Sequence, residues 1–251
     1  MNPLDFSGKT ILITGVSSGI GQATSVYLSR LGARIIGVAR NRDRLESMLS
    51  SLEGTGHRVF SFDLAAVERI PDWIHTTARE CGPIYGLVHS AGIIFTEPMR
   101  GFRYDHFTAM RLINLDAAIM LCKGFRHRMV REESGGSIVF VSSLTGVKGF
   151  AGLVGYGATK GALVAATRSL ALELASEKVR VNCVCPGLVR TEMIGGLDSV
   201  MDQDQKDEVV ASYPLGLGLP DDVAYAVAFL LAPAARWITG TAILLDGGRS
   251  A

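Results

Sequence analysis

Two side chains that can exchange protons, Tyr156 and Lys160, are four positions apart in a segment whose pattern predicts a helix over 156–176. Residues four apart share one face of a helix, so we expect the Lys160 ammonium near the Tyr156 phenol. A free phenol has a pKa near 10, and acid–base chemistry near neutral pH requires that pKa to fall by about 3 units, or roughly 4 kcal/mol. The pair therefore predicts general acid–base chemistry at an oxygen atom.

A second chemical feature is the glycine-rich segment Thr14-Gly-Val-Ser-Ser-Gly-Ile-Gly21, between a predicted strand and a predicted helix. A helix N-terminus offers unpaired N–H groups and a positive dipole end to an anion, and glycines allow a pyrophosphate to approach the backbone. Residues 15–19 also match the G-x-S-x-G turn of serine hydrolases. That alternative fails on chain order, because the turn follows the first strand and the last histidine is His127.

Apolar runs that alternate with helical patterns must position these groups. Such an alternation predicts the α/β class, with a doubly wound parallel sheet and helices on both faces, in a single domain over 1–251. The stretch 187–220 is the least regular and is expected to be a substrate-binding loop. The predicted strands are 9–14, 34–39, 58–62, 84–89, 137–142, 180–185 and 242–245, and the predicted helices are 19–31, 41–52, 70–80, 104–131, 156–176 and 221–231.

Composition favours a small-molecule partner. The 251 residues carry a formal net charge of +1, which gives no field for collecting nucleic acid or an anionic membrane surface. The apolar stretch over 223–232 is far shorter than the roughly 20 residues of a membrane span. The four cysteines show no metal-ligand spacing, so we expect reduced thiols, no metal and a cytoplasmic setting.

Taken together, these motifs resemble the short-chain dehydrogenase/reductase family over nearly the whole chain, from Phe6 to Gly248. The motifs on which the resemblance rests are the turn 14–21, the Tyr-x-x-x-Lys pair, the Pro-Gly segment 186–191 and Asp246-Gly-Gly248. The resemblance implies a Rossmann-type fold and a catalytic set in which Tyr156 is the general acid or base, Ser143 holds the substrate oxygen, Lys160 also binds the nicotinamide ribose, and Asn114 supports a water relay. Ser143 lies thirteen residues before Tyr156, which is the family's spacing. Lys160 and oxidised nicotinamide are expected to lower the phenol pKa.

The resemblance also implies a coenzyme site. One departure is Val88-His-Ser-Ala-Gly92, where the family usually has two asparagines before Ala-Gly. We expect His89 to be structural. The implied coenzyme-binding residues are Thr14, Gly15, Ser17, Ser18, Gly19, Ile20, Gly21, Arg40, Asp63, Leu64, Ser90, Ala91, Gly92, Tyr156, Lys160, Pro186, Gly187, Val189 and Thr191.

The end of the second predicted strand favours NADP(H) as the coenzyme. NAD-preferring relatives place an acidic residue there, whereas this chain has Ala39 followed by Arg40. A guanidinium can bind a 2′-phosphate through two parallel hydrogen bonds. The alternative is that Arg40, Arg42 and Arg44 only form a solvated basic helix start.

Apolar residues are expected around the nicotinamide, so the predicted substrate is a neutral, moderately hydrophobic ketone or secondary alcohol. Such a lining selects by shape and offers no fixed cation for a carboxylate or phosphate. Acidic residues of the loop, Asp198, Asp202, Asp204, Asp207 and Glu208, either disfavour anions or face solvent. The predicted pocket consists of Ser143, Leu144, Phe150, Leu153, Leu188 and Met193, with Ile194 and Leu197 further along the loop.

Two other functions stay open at this stage. A 3-oxoacyl-carrier-protein reductase would use basic residues to bind an acidic carrier. In this chain Leu172 occupies a position where an arginine is expected, and the loop 214–220 lacks a second expected arginine. The group Arg126, Arg128 and Arg131 could serve instead. The other function is a catalytically silent, dinucleotide-sensing or scaffold protein. The resemblance further implies a homotetramer built on the helices 104–131 and 156–176.

Overall fold

Seven parallel strands form one sheet in the computed structural model, which describes residues 3–193 and 202–251. Their order across the sheet is β3-β2-β1-β4-β5-β6-β7. β1 and β5 are buried along their whole length, as expected of strands covered on both faces. The strands are β1 (Thr10–Thr14), β2 (Arg34–Ala39), β3 (Arg58–Ser61), β4 (Gly86–His89), β5 (Gly136–Val141), β6 (Val179–Pro186) and β7 (Ala242–Leu245).

Helices cover both faces of this sheet and create two apolar cores. One core joins the sheet to α1, α2 and α8, and the other joins it to α3, α5 and α6. The predicted doubly wound α/β fold is therefore confirmed. The helices are α1 (Gly19–Arg30), α2 (Arg42–Ser50), α3 (Ile70–Cys81), α4 (Tyr104–Arg111), α5 (Ala117–Phe125), α6 (Val154–Leu174), α7 (Gln203–Ala211) and α8 (Pro220–Leu231).

Two elements differ from the sequence prediction. The predicted helix 104–131 is divided into α4, a π-helical turn (Leu112–Asp116) and α5, and it ends at Phe125 rather than residue 131. The stretch 187–220, predicted to be irregular, contains α7, which begins with a capping box between Asp202 and Gln205. None of the α7 residues is buried, so the helix lacks the apolar stripe by which sequence patterns reveal helices.

The direction in which successive strands are added to the sheet reverses between β1 and β4. The chain runs outward from β1 to β2 and β3 on one side, and from β4 to β5, β6 and β7 on the other. In such sheets a crevice opens at the carboxyl ends of the strands at this point. Among the described residues, no helix is long and apolar enough to cross a membrane.

Candidate active site

The glycine turn between β1 and α1 has a backbone shape that side chains would prevent. Gly15 has φ +74°, and a Cβ on it would lie 2.8 Å from the Cα of Ala91. A Cβ on Gly21 would lie 2.3 Å from the carbonyl oxygen of Gly15. Ser18 precedes α1 without a side-chain capping bond, so the helix start keeps N–H donors for a ligand. The turn thus fits an anionic phosphate group.

Below this turn, Thr14 and His89 form a buried hydrogen-bond network. His89 Nε2 lies 3.1 Å from the Ile113 carbonyl oxygen and donates to it, which leaves Nδ1 to accept from the Thr14 hydroxyl at 3.0 Å. The Thr14 oxygen in turn accepts from the backbone N–H groups of Ser90 and Ala91, each at 3.2 Å. Burial and the positive charge of Lys160 lower the His89 pKa to about 3. His89 is neutral, and both ring nitrogens have partners inside the protein.

Asn114 is fully buried in the π-helical turn, where it connects two neighbouring segments. Its amide oxygen accepts from Ile93 N–H at 2.9 Å, and its amide nitrogen donates to the Ile93 carbonyl at 3.0 Å. The same nitrogen donates to the Thr159 hydroxyl at 3.0 Å. Thr159 lies inside the Tyr-x-x-x-Lys motif, and the sequence analysis missed it. The wider helical turn therefore fixes the segment after β4 against α6.

Tyr156 is buried near the start of α6, close to Ser143, which follows β5 by two positions. Burial raises the Tyr156 pKa to about 12, while the nearby Ser143 hydroxyl acts in the opposite direction. The expected lowering by Lys160 is thus wrong for the protein's own residues, because desolvation of the phenolate is the larger effect. The phenol keeps its proton near neutral pH and can act as an acid.

Lys160 lies deep in the site, with its ammonium 5.7 Å from the centre of the Tyr156 ring. Its Nζ donates to the Val141 carbonyl at 2.8 Å, and burial lowers the Lys160 pKa to about 8. A Cβ on Gly92 would lie 3.3 Å from both this Nζ and the Asn114 amide oxygen. The open space at Gly92 is therefore bordered by polar groups that could bind hydroxyl groups of a ligand.

The residues expected around an adenosine lie on the rim of the same edge. Arg40 is exposed after β2, and its guanidinium has no bonding partner within 3–193 and 202–251. The neighbouring Arg44 pairs with Glu192 at 2.7 Å. Asp63 is exposed after β3 and accepts from Ala65 N–H at 3.0 Å. Within the described part of the chain, the Arg40 guanidinium is therefore free to bind an anion.

The Pro-Gly segment faces this glycine turn from the carboxyl end of β6. Pro186 is the last residue of β6, and Gly187 N–H donates to the Leu245 carbonyl at 3.0 Å. A Cβ on Gly19 would lie 3.1 Å from Thr191 Cγ2, so Thr191 contacts the glycine turn. The end of the segment 186–191 therefore lies against the glycine turn.

The residues of the predicted substrate lining differ in how far they are exposed. Leu144 is buried, Phe150, Leu153 and Leu188 are half-buried, and Met193 is 45% exposed. Ile194, Leu197 and Asp198 lie outside the described residues. The other acidic residues of the loop are exposed, in agreement with the solvent-facing alternative; they are Asp202, Asp204, Asp207 and Glu208.

A cation that the sequence analysis missed borders this lining. The Arg249 guanidinium carbon is 6.0 Å from the ring centre of Phe150 and 6.0 Å from that of Tyr213. Arg249 was not among the predicted pocket residues, and it places a cation beside Phe150, which was. Arg249 is far from Phe150 in the chain, so only its position just after the Asp-Gly-Gly segment hinted at this contact.

The arginines considered for a carrier protein lie at the opposite edge of the sheet. Ile84, just before β4, pairs with Arg131, which places this group at the amino ends of the strands. Arg126 binds Glu177 at 2.8 Å, and Arg131 binds the same carboxylate at 3.3 Å.

Two cavities of about 410 and 580 Å³ in the described structure are lined by none of the predicted pocket residues.

The chain is similar to known proteins over nearly its whole length. The family model described as Enoyl-(Acyl carrier protein) reductase matches residues 15–250. Carbonyl reductase family member 4 of Danio rerio is 37% identical over 241 residues, which cover 96% of this chain and 97% of the relative. The 3-oxoacyl-[acyl-carrier-protein] reductase FabG of Rickettsia prowazekii (strain Madrid E) is 34% identical over 246 residues and 98% of each chain. A solved short-chain dehydrogenase/reductase of Brucella melitensis, described as a glucose/ribitol dehydrogenase, has a TM-score of 0.90 and 32% identity over 98% of each chain.

Proposed function

The chain belongs to the short-chain dehydrogenase/reductase family of NAD(P)-dependent oxidoreductases, and we propose that it uses NADP(H) to interconvert a neutral, moderately hydrophobic ketone and its secondary alcohol. The observation that carries this proposal is the group of four side chains at the carboxyl edge of the sheet. Ser143 lies close enough to Tyr156 to affect its pKa, Lys160 lies beside the Tyr156 ring, and Asn114 borders the same space at Gly92. Packing alone does not require these four polar types together.

In this proposal the coenzyme, when bound, supplies or accepts the hydride. The Ser143 hydroxyl holds the carbonyl oxygen of the substrate, and Tyr156 donates its phenolic proton to that oxygen. The raised pKa of Tyr156 keeps this proton in place until the substrate oxygen gains negative charge. Lys160 provides a nearby positive charge for the phenolate and a donor for ribose hydroxyls, and Asn114 orders the segment through which a water relay would pass.

The NADP(H) preference rests on Arg40 and Ala39. Arg40 is exposed directly after β2, its guanidinium has no partner among the residues that the structure describes, and the Ala39 side chain offers no acceptor to ribose hydroxyls. The Arg40→Asp variant should shift the preference from NADPH toward NADH. Arg42→Asp is the matched control, since it changes the same charge at the first residue of α2. A wild-type kcat/KM that is higher with NADH than with NADPH would contradict this part of the proposal.

The neutral, apolar substrate class rests on the lining beside Tyr156. Phe150 and Leu188, which are half-buried, offer apolar surface, and each Å² of substrate surface that they remove from water contributes about 25 cal/mol. Turnover of a carbonyl panel with NADPH tests the class. Hydrophobic ketones should give a higher kcat/KM than phosphorylated sugars or 2-oxo acids, and the reverse order would refute it.

A 3-oxoacyl-carrier-protein reductase is the second candidate, favoured by the similarity to the Rickettsia enzyme. The positions of Arg126 and Arg131 speak against it, because both pair with Glu177 away from the catalytic edge. Leu172 is 83% exposed at the position where a basic residue was expected. A strong preference for a carrier-protein thioester over its small-molecule analogue would support this candidate. Absence of turnover with any carbonyl would instead support a dinucleotide-sensing protein.

We further propose one catalytic domain over the whole chain, a homotetramer and a cytoplasmic location. The outward face of α6 carries Ala158, Ala165 and Leu172, spaced seven residues apart, all of them exposed. Small and apolar residues at this spacing allow two helices to approach closely. The four free cysteines support a reducing compartment.

A further inference from the structure

The last residues of the chain form a turn that follows β7 and so lies at the carboxyl edge of the sheet. Arg249 N–H donates to the Asp246 carbonyl at 3.0 Å, and Gly248 N–H donates to one Asp246 carboxylate oxygen at 3.2 Å. The Ser250 hydroxyl donates to the other carboxylate oxygen at 2.5 Å. Lys148 Nζ binds the Arg249 carbonyl at 3.1 Å. These bonds fix the backbone from which the Arg249 side chain extends.

Arg249 lies between the two segments expected to enclose the substrate. Its guanidinium is within cation–π range of Phe150, which precedes the catalytic Tyr156, and of Tyr213. The Tyr213 hydroxyl accepts from the Leu188 N–H at 3.1 Å, directly after the Pro-Gly segment. The cation therefore borders the space next to the proposed nicotinamide position.

The N–H groups of this guanidinium are not used by the protein. Within residues 3–193 and 202–251, the Arg249 side chain has no hydrogen bond and no ion pair. Asp246 is the nearest acid in the turn, but its two oxygens are taken by Gly248 and Ser250. Contacts with ring faces leave the N–H edge of a guanidinium free. Arg249 is half-buried and is not among the buried donors without a partner, so its N–H groups face solvent and are accessible to a ligand oxygen.

We propose that Arg249 is a specificity-determining residue that donates hydrogen bonds to a second oxygen of the substrate. This inference rests on the proposed function, in which Ser143 and Tyr156 hold the reacting oxygen. The substrate class is then a ketone with a further uncharged carbonyl group, as in an ester, amide or second ketone. An uncharged acceptor is favoured because the negative charge of Asp246 acts at Tyr213 against the positive charge of Arg249.

The test compares 2-octanone with three keto esters: ethyl 3-oxobutanoate, ethyl 4-oxopentanoate and ethyl 5-oxohexanoate, each also assayed as the free acid. The wild type, Arg249→Met, Arg249→Lys and the control Arg79→Met are measured with NADPH. Arg79 is an exposed arginine in the last turn of α3. Arg249→Met should lower kcat/KM for the preferred keto ester about tenfold or more, through KM, because a hydrogen bond to a charged donor is lost. Its kcat/KM for 2-octanone should stay within about twofold, Arg249→Lys should be intermediate, and Arg79→Met should match the wild type.

The outcomes separate this inference from the proposed function. If Arg249→Met lowers turnover of 2-octanone and keto esters equally, Arg249 has only a structural role and the inference is wrong, while the proposed function stands. If wild type prefers the free acids and Arg249→Met removes that preference, the site binds an anion and the uncharged substrate class is overturned. If the wild type reduces none of these ketones with either coenzyme, the proposed function itself fails.

Discussion

The buried imidazole of His89 should make the stability of this protein depend on pH in a defined window. Its pKa is about 3 in the folded protein and 6.5 for the free side chain, because burial and Lys160 disfavour the charged form. Between these values the unfolded chain binds more protons, so the free energy of unfolding falls as the pH falls below 6.5. At 1.36 kcal/mol per pH unit, a change from pH 7.5 to pH 5.0 should cost about 2 kcal/mol through His89 alone.

Urea denaturation of the wild type and His89→Asn at both pH values, at one protein concentration, measures this effect. The asparagine cannot titrate, so the variant should lose about 2 kcal/mol less than the wild type on going to pH 5.0. At pH 7.5 it should be less stable by about 1–3 kcal/mol, since the shorter side chain leaves the Ile113 carbonyl or the Thr14 hydroxyl without its partner. His75→Asn, on α3, controls for the loss of a histidine. Equal losses in the wild type and His89→Asn would refute the reasoning.

Three further predictions concern the coenzyme site and the assembly. For ketone reduction, kcat/KM should fall above about pH 8, because the buried Lys160 loses its proton there. In the Lys160→Arg variant this fall in kcat/KM should move to higher pH. A fall at the same pH in the variant would show that another group causes it. Gly21→Ala should weaken NADPH binding about tenfold or more in a fluorescence titration, because its Cβ would overlap the Gly15 carbonyl, whereas Gly101→Ala, with open space around it, should bind normally. Light scattering at micromolar protein should give a tetrameric mass, and a monomeric mass would contradict the proposed assembly.

Much of the sheet could be predicted because its strands are short apolar runs between turn residues. The prediction for β2 and β7 agrees with the observed bounds. The π-helical turn could not be predicted, because its extra residue per turn depends on how Asn114 binds Ile93 and Thr159 in the folded protein. The end of α5 was missed because the arginines after Phe125 are good helix formers.

In the candidate site, too, local features could be predicted from the sequence, and features that depend on distant segments could not. The Tyr156 and Lys160 spacing predicts their shared helix face, since that relation is local. The raised pKa of Tyr156 comes from burial by distant segments, and no local pattern reports it. The contact of Arg249 with Phe150 and Tyr213 likewise joins three separate parts of the chain.

Turnover of the Tyr156→Phe variant tests the proposed function most directly. The substitution removes the phenolic hydroxyl and keeps the ring, while Lys160 and the glycine turn remain to bind the coenzyme. With NADPH and a ketone that the wild type reduces, kcat should fall about 100-fold or more, and the dissociation constant for NADPH should change by less than about threefold. Turnover close to that of the wild type would show that another group donates the proton and would contradict the account.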